Sequence, residues 1–72
     1  MGIAEKIKIL LVKRGQSQKA LAGMLGMSAE SFNNKLRRES FDVDELETIA
    51  SKLDAKYTLK QWFTLNDTGE EI

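Results

Sequence analysis

Neither cysteine nor histidine occurs anywhere in the 72 residues. That removes disulfides as a source of stability, thiol and imidazole as nucleophile or general base, and the nitrogen and sulfur ligand sets of structural zinc. A domain of this size buries only about 60% of its unfolded surface, so oligomerisation is the remaining way to add stability. Proline is missing too, and no Gly-rich phosphate loop or internal repeat is visible. The carboxylates lie at expected helix starts and in the tail rather than in an opposed pair. No enzyme chemistry, cofactor or metal is therefore expected.

Long apolar runs are absent as well. In the opening MGIAEKIKILLVKRG, Lys6 and Lys8 interrupt the apolar residues, leaving neither the 7–15-residue core of a signal peptide nor the ~20-residue run of a membrane span. Together with the lack of cysteine this reads as a soluble, cytoplasmic protein without membrane association. Nor is there an excess of either charge, with 11 basic against 11 acidic residues. The distribution is uneven, however. Residues 1–56 hold 10 Lys/Arg against 8 Asp/Glu, a balance of +2, while residues 57–72 hold Lys60 against Asp67, Glu70 and Glu71, a balance of −2.

What is present is helical periodicity punctuated by glycines and capping residues. Ile3, Ile7, Leu10 and Leu11 fall at i, i+4, i+7 and i+8 and predict an amphipathic helix ending before Gly15. Ser17 caps a short second helix carrying Leu21, Ala22 and Leu25, which Gly26 terminates in the left-handed conformation. Ser28 caps a third, with Phe32 and Leu36 inward and Glu30, Asn34 and Arg37 outward. Asp42 and Glu45 have capping-box spacing ahead of Leu46, Ile49, Ala50 and Leu53, the buried stripe of a fourth helix. From Tyr57 the period changes to two, with Tyr57, Leu59, Phe63 and Leu65 on one face and Thr58, Lys60, Trp62 and Thr64 on the other, which predicts a strand. Asn66-Asp67-Thr68-Gly69 forms a turn, after which Glu70-Glu71-Ile72 can return as a very short second strand.

The stretch Ser17–Leu36 carries the functional signal, because two short helices meet there across a tight Gly-containing turn. A helix-turn-helix requires a small residue where the helices cross, a glycine in the turn, and apolar residues fixing the angle of the second helix. Ala22, Gly26, Leu21, Leu25, Met27 and Phe32 meet these requirements. The segment SQKALAGMLGMSAESFNNKLRRESFDVDELETIASKL resembles the phage-repressor and Cro-like (Xre) helix-turn-helix family, over about Ile3 to Leu53. Within it the chain is similar to a subgroup whose third helix reads Ser-x-x-x-Phe-x-Asn-Lys-Leu-x-Arg, here Ser28, Phe32, Asn34, Lys35, Leu36 and Arg38.

The resemblance implies a lambda-repressor-like bundle of four helices, mainly α, with a C-terminal β-strand or short hairpin, that sets its third helix in the major groove of DNA. Residues 1–56 would form the DNA-binding domain, with the motif at 17–37, and residues 57–72 a β extension able to serve in dimerisation. By position, Ser17 and Gln18 fall where the family binds phosphate, and Ala29, Glu30, Asn33 and Asn34 where it reads base edges, the two adjacent asparagines being poor helix formers on a merely structural surface. Asn34 has the groups to pair bidentately with adenine, and Ala29 to touch a thymine methyl. Glu30 either accepts from cytosine or is an ordinary first-turn acid. Arg37, Arg38, Lys13, Arg14 and Lys19 are candidates for phosphate contacts, Arg37 and Arg38 also serving as cations at a helix C-terminus.

Two departures from the family stand out. Lys35 occupies a position that is apolar in many members, with Leu36 taking the core role, and a strand pattern replaces the fifth helix common among them. Trp62, on the polar face of that strand, asks for a partner surface, either a second copy across a two-fold axis or the chain's own helices. The function expected is that of a sequence-specific DNA-binding regulator acting as a homodimer on a palindromic operator. The competing expectation is a protein-interaction module of antitoxin or anti-repressor type on the same scaffold.

Overall fold

The first helix, α1 (Ile3–Arg14), buries Ile3, Ile7, Leu10 and Leu11, the stripe that the periodicity marks. It stops at Gly15, whose φ of 66° lets Gly15 and Gln16 donate back to the carbonyls of Val12 and Leu11. Gly2 provides no side-chain cap at its start. Instead the Glu39 carboxylate, from the far end of another helix, accepts from the Ala4 N–H at 3.1 Å. Residues 2–58 and 62–72 are described by the structure, which is a computed structural model.

Helix α2 (Gln18–Met24) is capped by Ser17, whose hydroxyl accepts from the Ala20 N–H at 3.0 Å. Gly26, at φ 71°, turns the chain, and Ser28 caps α3 (Ala29–Arg38) by accepting from the Ser31 N–H. Helix α3 ends at Glu39, a non-glycine residue held at φ 51°. Asp42 and Glu45 form a reciprocal capping box at the start of α4 (Val43–Lys52).

The C-terminal segment corrects the single strand expected over Tyr57–Leu65. Two antiparallel strands, β1 (Ala55–Thr58) and β2 (Trp62–Leu65), pair with Ala55 opposite Leu65, Tyr57 opposite Phe63 and Thr58 opposite Trp62. The alternating pattern is blind to this reversal, because partners whose positions differ by an even number share one face of the sheet, so Tyr57 and Phe63 stay together in either arrangement. The faces assigned to Leu59 and Lys60 lie outside the described residues. The tail does return as expected: Thr64 bridges Glu71, Leu65 donates to Glu70 and Ile72 donates to Phe63. Since β1 starts at Ala55, the sheet also begins two residues inside the segment assigned to the helical unit.

Helices and hairpin share one core. Fully buried Phe32, Phe63, Ile7, Leu10, Leu21 and Ile49 form its centre, and Ala55 and Leu65 close it from the sheet. Phe41 packs against Phe32 at 5.7 Å between ring centroids, and Tyr57 against Phe63 at 5.6 Å. The hairpin therefore packs its Phe63 and Leu65 face on the chain's own helices, while Trp62, on its other face, stays 41% exposed. Among the described residues no helix is long and apolar enough to cross a membrane.

Candidate nucleic-acid interface

Helix α3 is anchored on one side only. Phe32 and Leu36 are 0% and 3% exposed, and at about 100° per residue Glu30, Asn34 and Arg37 fall within roughly 60° of one another on the opposite side. Ala29 and Asn33 continue along one flank of that face, and Ser31 and Arg38 along the other. All of these are exposed except Asn34, which is half-buried and whose side-chain carbonyl accepts from Arg37 one turn away. The Asn34 amide N–H groups have no partner among the described hydrogen bonds. Pairing with adenine thus requires Asn34 to share its oxygen between Arg37 and the base, or Arg37 to swing out to a phosphate.

The rotation of α3 is fixed by what its neighbours hold. Leu36 enters the core, while Lys35 turns towards α4, where its ammonium lies 2.7 Å from the Glu45 carboxylate and 5.9 Å from the centre of the Phe41 ring. The pairing with Lys35, reinforced by the Asp42 backbone N–H, holds the Glu45 carboxyl below its usual range. Lys35 is therefore engaged in joining α3 to α4, which explains a cation at a position adjoining the core.

At the other end of the motif, Ser17 and Ser28 both act as N-caps. Lys19 is exposed beside Ser17, and Gln18 is half-buried.

Two cations expected near phosphate are engaged elsewhere. The Arg14 guanidinium donates to the carbonyls of Leu53 and Asp54, each at 2.8 Å, and to both carboxylate oxygens of Asp67, at 2.8 and 3.1 Å. Its side chain is 18% exposed. Held this way, Arg14 has its pKa raised, chiefly by the hydrogen bond to Asp67, whose carboxyl in turn drops to about 2. Lys13 pairs with Glu70 at 2.8 Å. Lys6 donates to the Ile72 carbonyl at 2.9 Å and sits 5.1 Å over the Trp62 ring. These partners lie some 40 to 66 residues away along the chain, so no local signal reveals them.

The acidic tail thus engages the base-rich end of α1. Lys8, Lys19, Arg37, Arg38, Lys52 and Lys56 have no acidic partner within 4.0 Å among the described residues. Lys8, which sequence reasoning left unassigned, lines a cleft of about 430 Å³ with Leu36, Arg37 and Glu39. Its only sequence signal is that of a lone surface lysine. Chemically the arrangement presents donors and acceptors on a convex helix face, suited to reading a polar surface by contact. Compared with protein-family models, curated proteins and solved structures, the chain matches none of them.

Proposed function

We propose that this chain is a helix-turn-helix DNA-binding regulator, acting as a cytoplasmic homodimer on a palindromic operator with α3 in the major groove. The observation that carries the reading is the outward face of α3, where Glu30, Asn33, Asn34 and Arg37 are held by a helix capped at its start and anchored by Phe32 and Leu36. A capped helix whose exposed face is polar, with Arg37 and Arg38 at its end lacking an acidic partner among the described residues, matches the chemistry of base edges flanked by phosphates. In this role Ala29, Glu30, Asn33 and Asn34 read bases. Ser17, Gln18, Lys19, Ser28, Arg37 and Arg38 hold the backbone, with Lys13 and Arg14 withdrawn from that group. Two such helices one DNA turn apart, about 34–36 Å, would meet the two half-sites.

The reading is tested by selecting from random duplex DNA with the wild type and Asn34→Ala in parallel at fixed salt. The expected result is an enriched palindrome that the Asn34 change relaxes at one base pair per half-site, at a cost of about 1–3 kcal/mol. With about four phosphate contacts per subunit, log K against log salt should fall with a slope near −7 for the dimer. A flat salt dependence, or no enrichment at moderate salt, would remove DNA as the partner. The alternative, a protein-interaction module, draws on the zero net charge. It requires apolar side chains on the outward face of α3, and the described residues there are polar apart from Ala29.

A further inference from the structure

Helix α1 has a second apolar side. Opposite its core stripe, Val12 is 79% exposed and Ile9 half-buried, and the two line a shallow depression of about 340 Å³ with Lys8 and Lys13. Glu5, Ile9 and Lys13 follow one another in steps of four, the spacing that makes a continuous ridge on a helix surface. Along that ridge the order is acid, apolar, base. Read in the opposite direction it is base, apolar, acid, so the ridge is complementary to an inverted copy of itself.

We propose that this ridge is the surface through which two copies of the chain associate. The copies pack their α1 helices antiparallel about a two-fold axis passing near Ile9. That arrangement sets Ile9 against Ile9, covers Val12 of each copy, and brings each Glu5 opposite the other copy's Lys13, whose ammonium is then shared between that carboxylate and Glu70 of its own chain. Trp62, 41% exposed and reached by Lys6 one turn before Ile9 on α1, adds an apolar shoulder. The hairpin, engaged on its own helices, then need not mediate the contact.

A helix of 12 residues is about 18 Å long, and a standard interface takes about 800 Å² from each partner. That is nearly a fifth of the 4455 Å² the chain exposes. The ridge offers less, so self-association is weak and becomes effective when two copies are held side by side, as on adjacent half-sites. In that last respect the inference rests on the proposed function; the contact itself does not.

Sedimentation equilibrium of the full chain tests it. The wild type should rise above its 8.1 kDa monomer mass in the high micromolar to millimolar range. Val12→Asp, at a position that contributes little to the core, should weaken the association constant at least about tenfold by replacing the apolar contact with a charge that must be desolvated on association. Glu5→Lys and Lys13→Glu should each weaken it, and the double exchange should restore it. Lys13→Glu also sets a carboxylate beside Glu70, so the exchanges are compared in a Glu70→Gln background, where the second change repairs nothing within one chain because the two residues lie two turns apart, and thermal melts of each variant identify any loss of folding. A wild type that stays monomeric throughout, or a double exchange no tighter than either single one, would overturn the interface. The DNA selection reads separately: operator enrichment by a chain that stays monomeric discards this surface and leaves DNA recognition standing.

Discussion

Arg14 shows how much one side chain can organise in a domain that has no cysteine to cross-link it. Its planar fork satisfies two carbonyls at the end of α4 and chelates Asp67 in the tail, a geometry lysine cannot reproduce. The Asp67 carboxyl, normally near 3.8, sits at about 2 because of that contact. A carboxyl whose folded pKa is depressed stabilises the fold above its unfolded pKa and loses that contribution as pH falls through the folded one. Thermal stability should therefore decline from about pH 4 to about pH 2, and Asp67→Asn should flatten that part of the profile while lowering stability modestly at neutral pH, since the pair is partly exposed. Melting temperature against pH for the two proteins checks this. An unchanged acid limb in the variant would assign the acid sensitivity to other carboxylates.

At the scale of elements, the caps carry quantities that can be measured. Ser28→Ala removes the acceptor for the Ser31 N–H at the start of α3, and should cost about 1 kcal/mol in chemical denaturation. Gly26→Ala meets no atom within 4 Å, yet at φ +71° it should cost about 1–2 kcal/mol through backbone strain alone. A variant as stable as the wild type would mean that the turn relaxes. These same caps are what made the helices legible in the sequence: Ser17, Ser28, Asp42 with Glu45, Gly15 and Gly26 are local signals, and the stripes between them repeat at a helical period. The outward face of α3 was legible for the same reason, once Phe32 and Leu36 fix which side is buried. The reversal between β1 and β2 was not, because an alternating pattern survives it unchanged. Which cations remain free was not legible either: Lys13, Arg14 and Lys35 are neutralised by residues on other elements, and no spacing rule reaches across tertiary structure.

For the whole molecule, a chain of 72 residues is expected to hold about 4–10 kcal/mol of net stability. Phe63, fully buried beneath the hairpin, is worth about 3–5 kcal/mol on truncation to alanine. Phe63→Ala should therefore bring the domain close to unfolding at 37 °C, and a fragment ending at Asp54, lacking Ala55, Phe63 and Leu65, should show no cooperative melt by circular dichroism. A cooperative transition in that fragment would show that the four helices form a sufficient core alone.

The position of β2 in the chain has a bearing on synthesis. All four helices are translated before Phe63 and Leu65, so a growing chain leaves the ribosome with Ile7, Leu10 and Ile49 only partly covered. A nascent chain emerges at about 5–20 residues per second, leaving those residues accessible to chaperones for that interval. The fold is complete only once Asp67, Glu70 and Ile72 are also free to reach Arg14, Lys13 and Lys6 on α1.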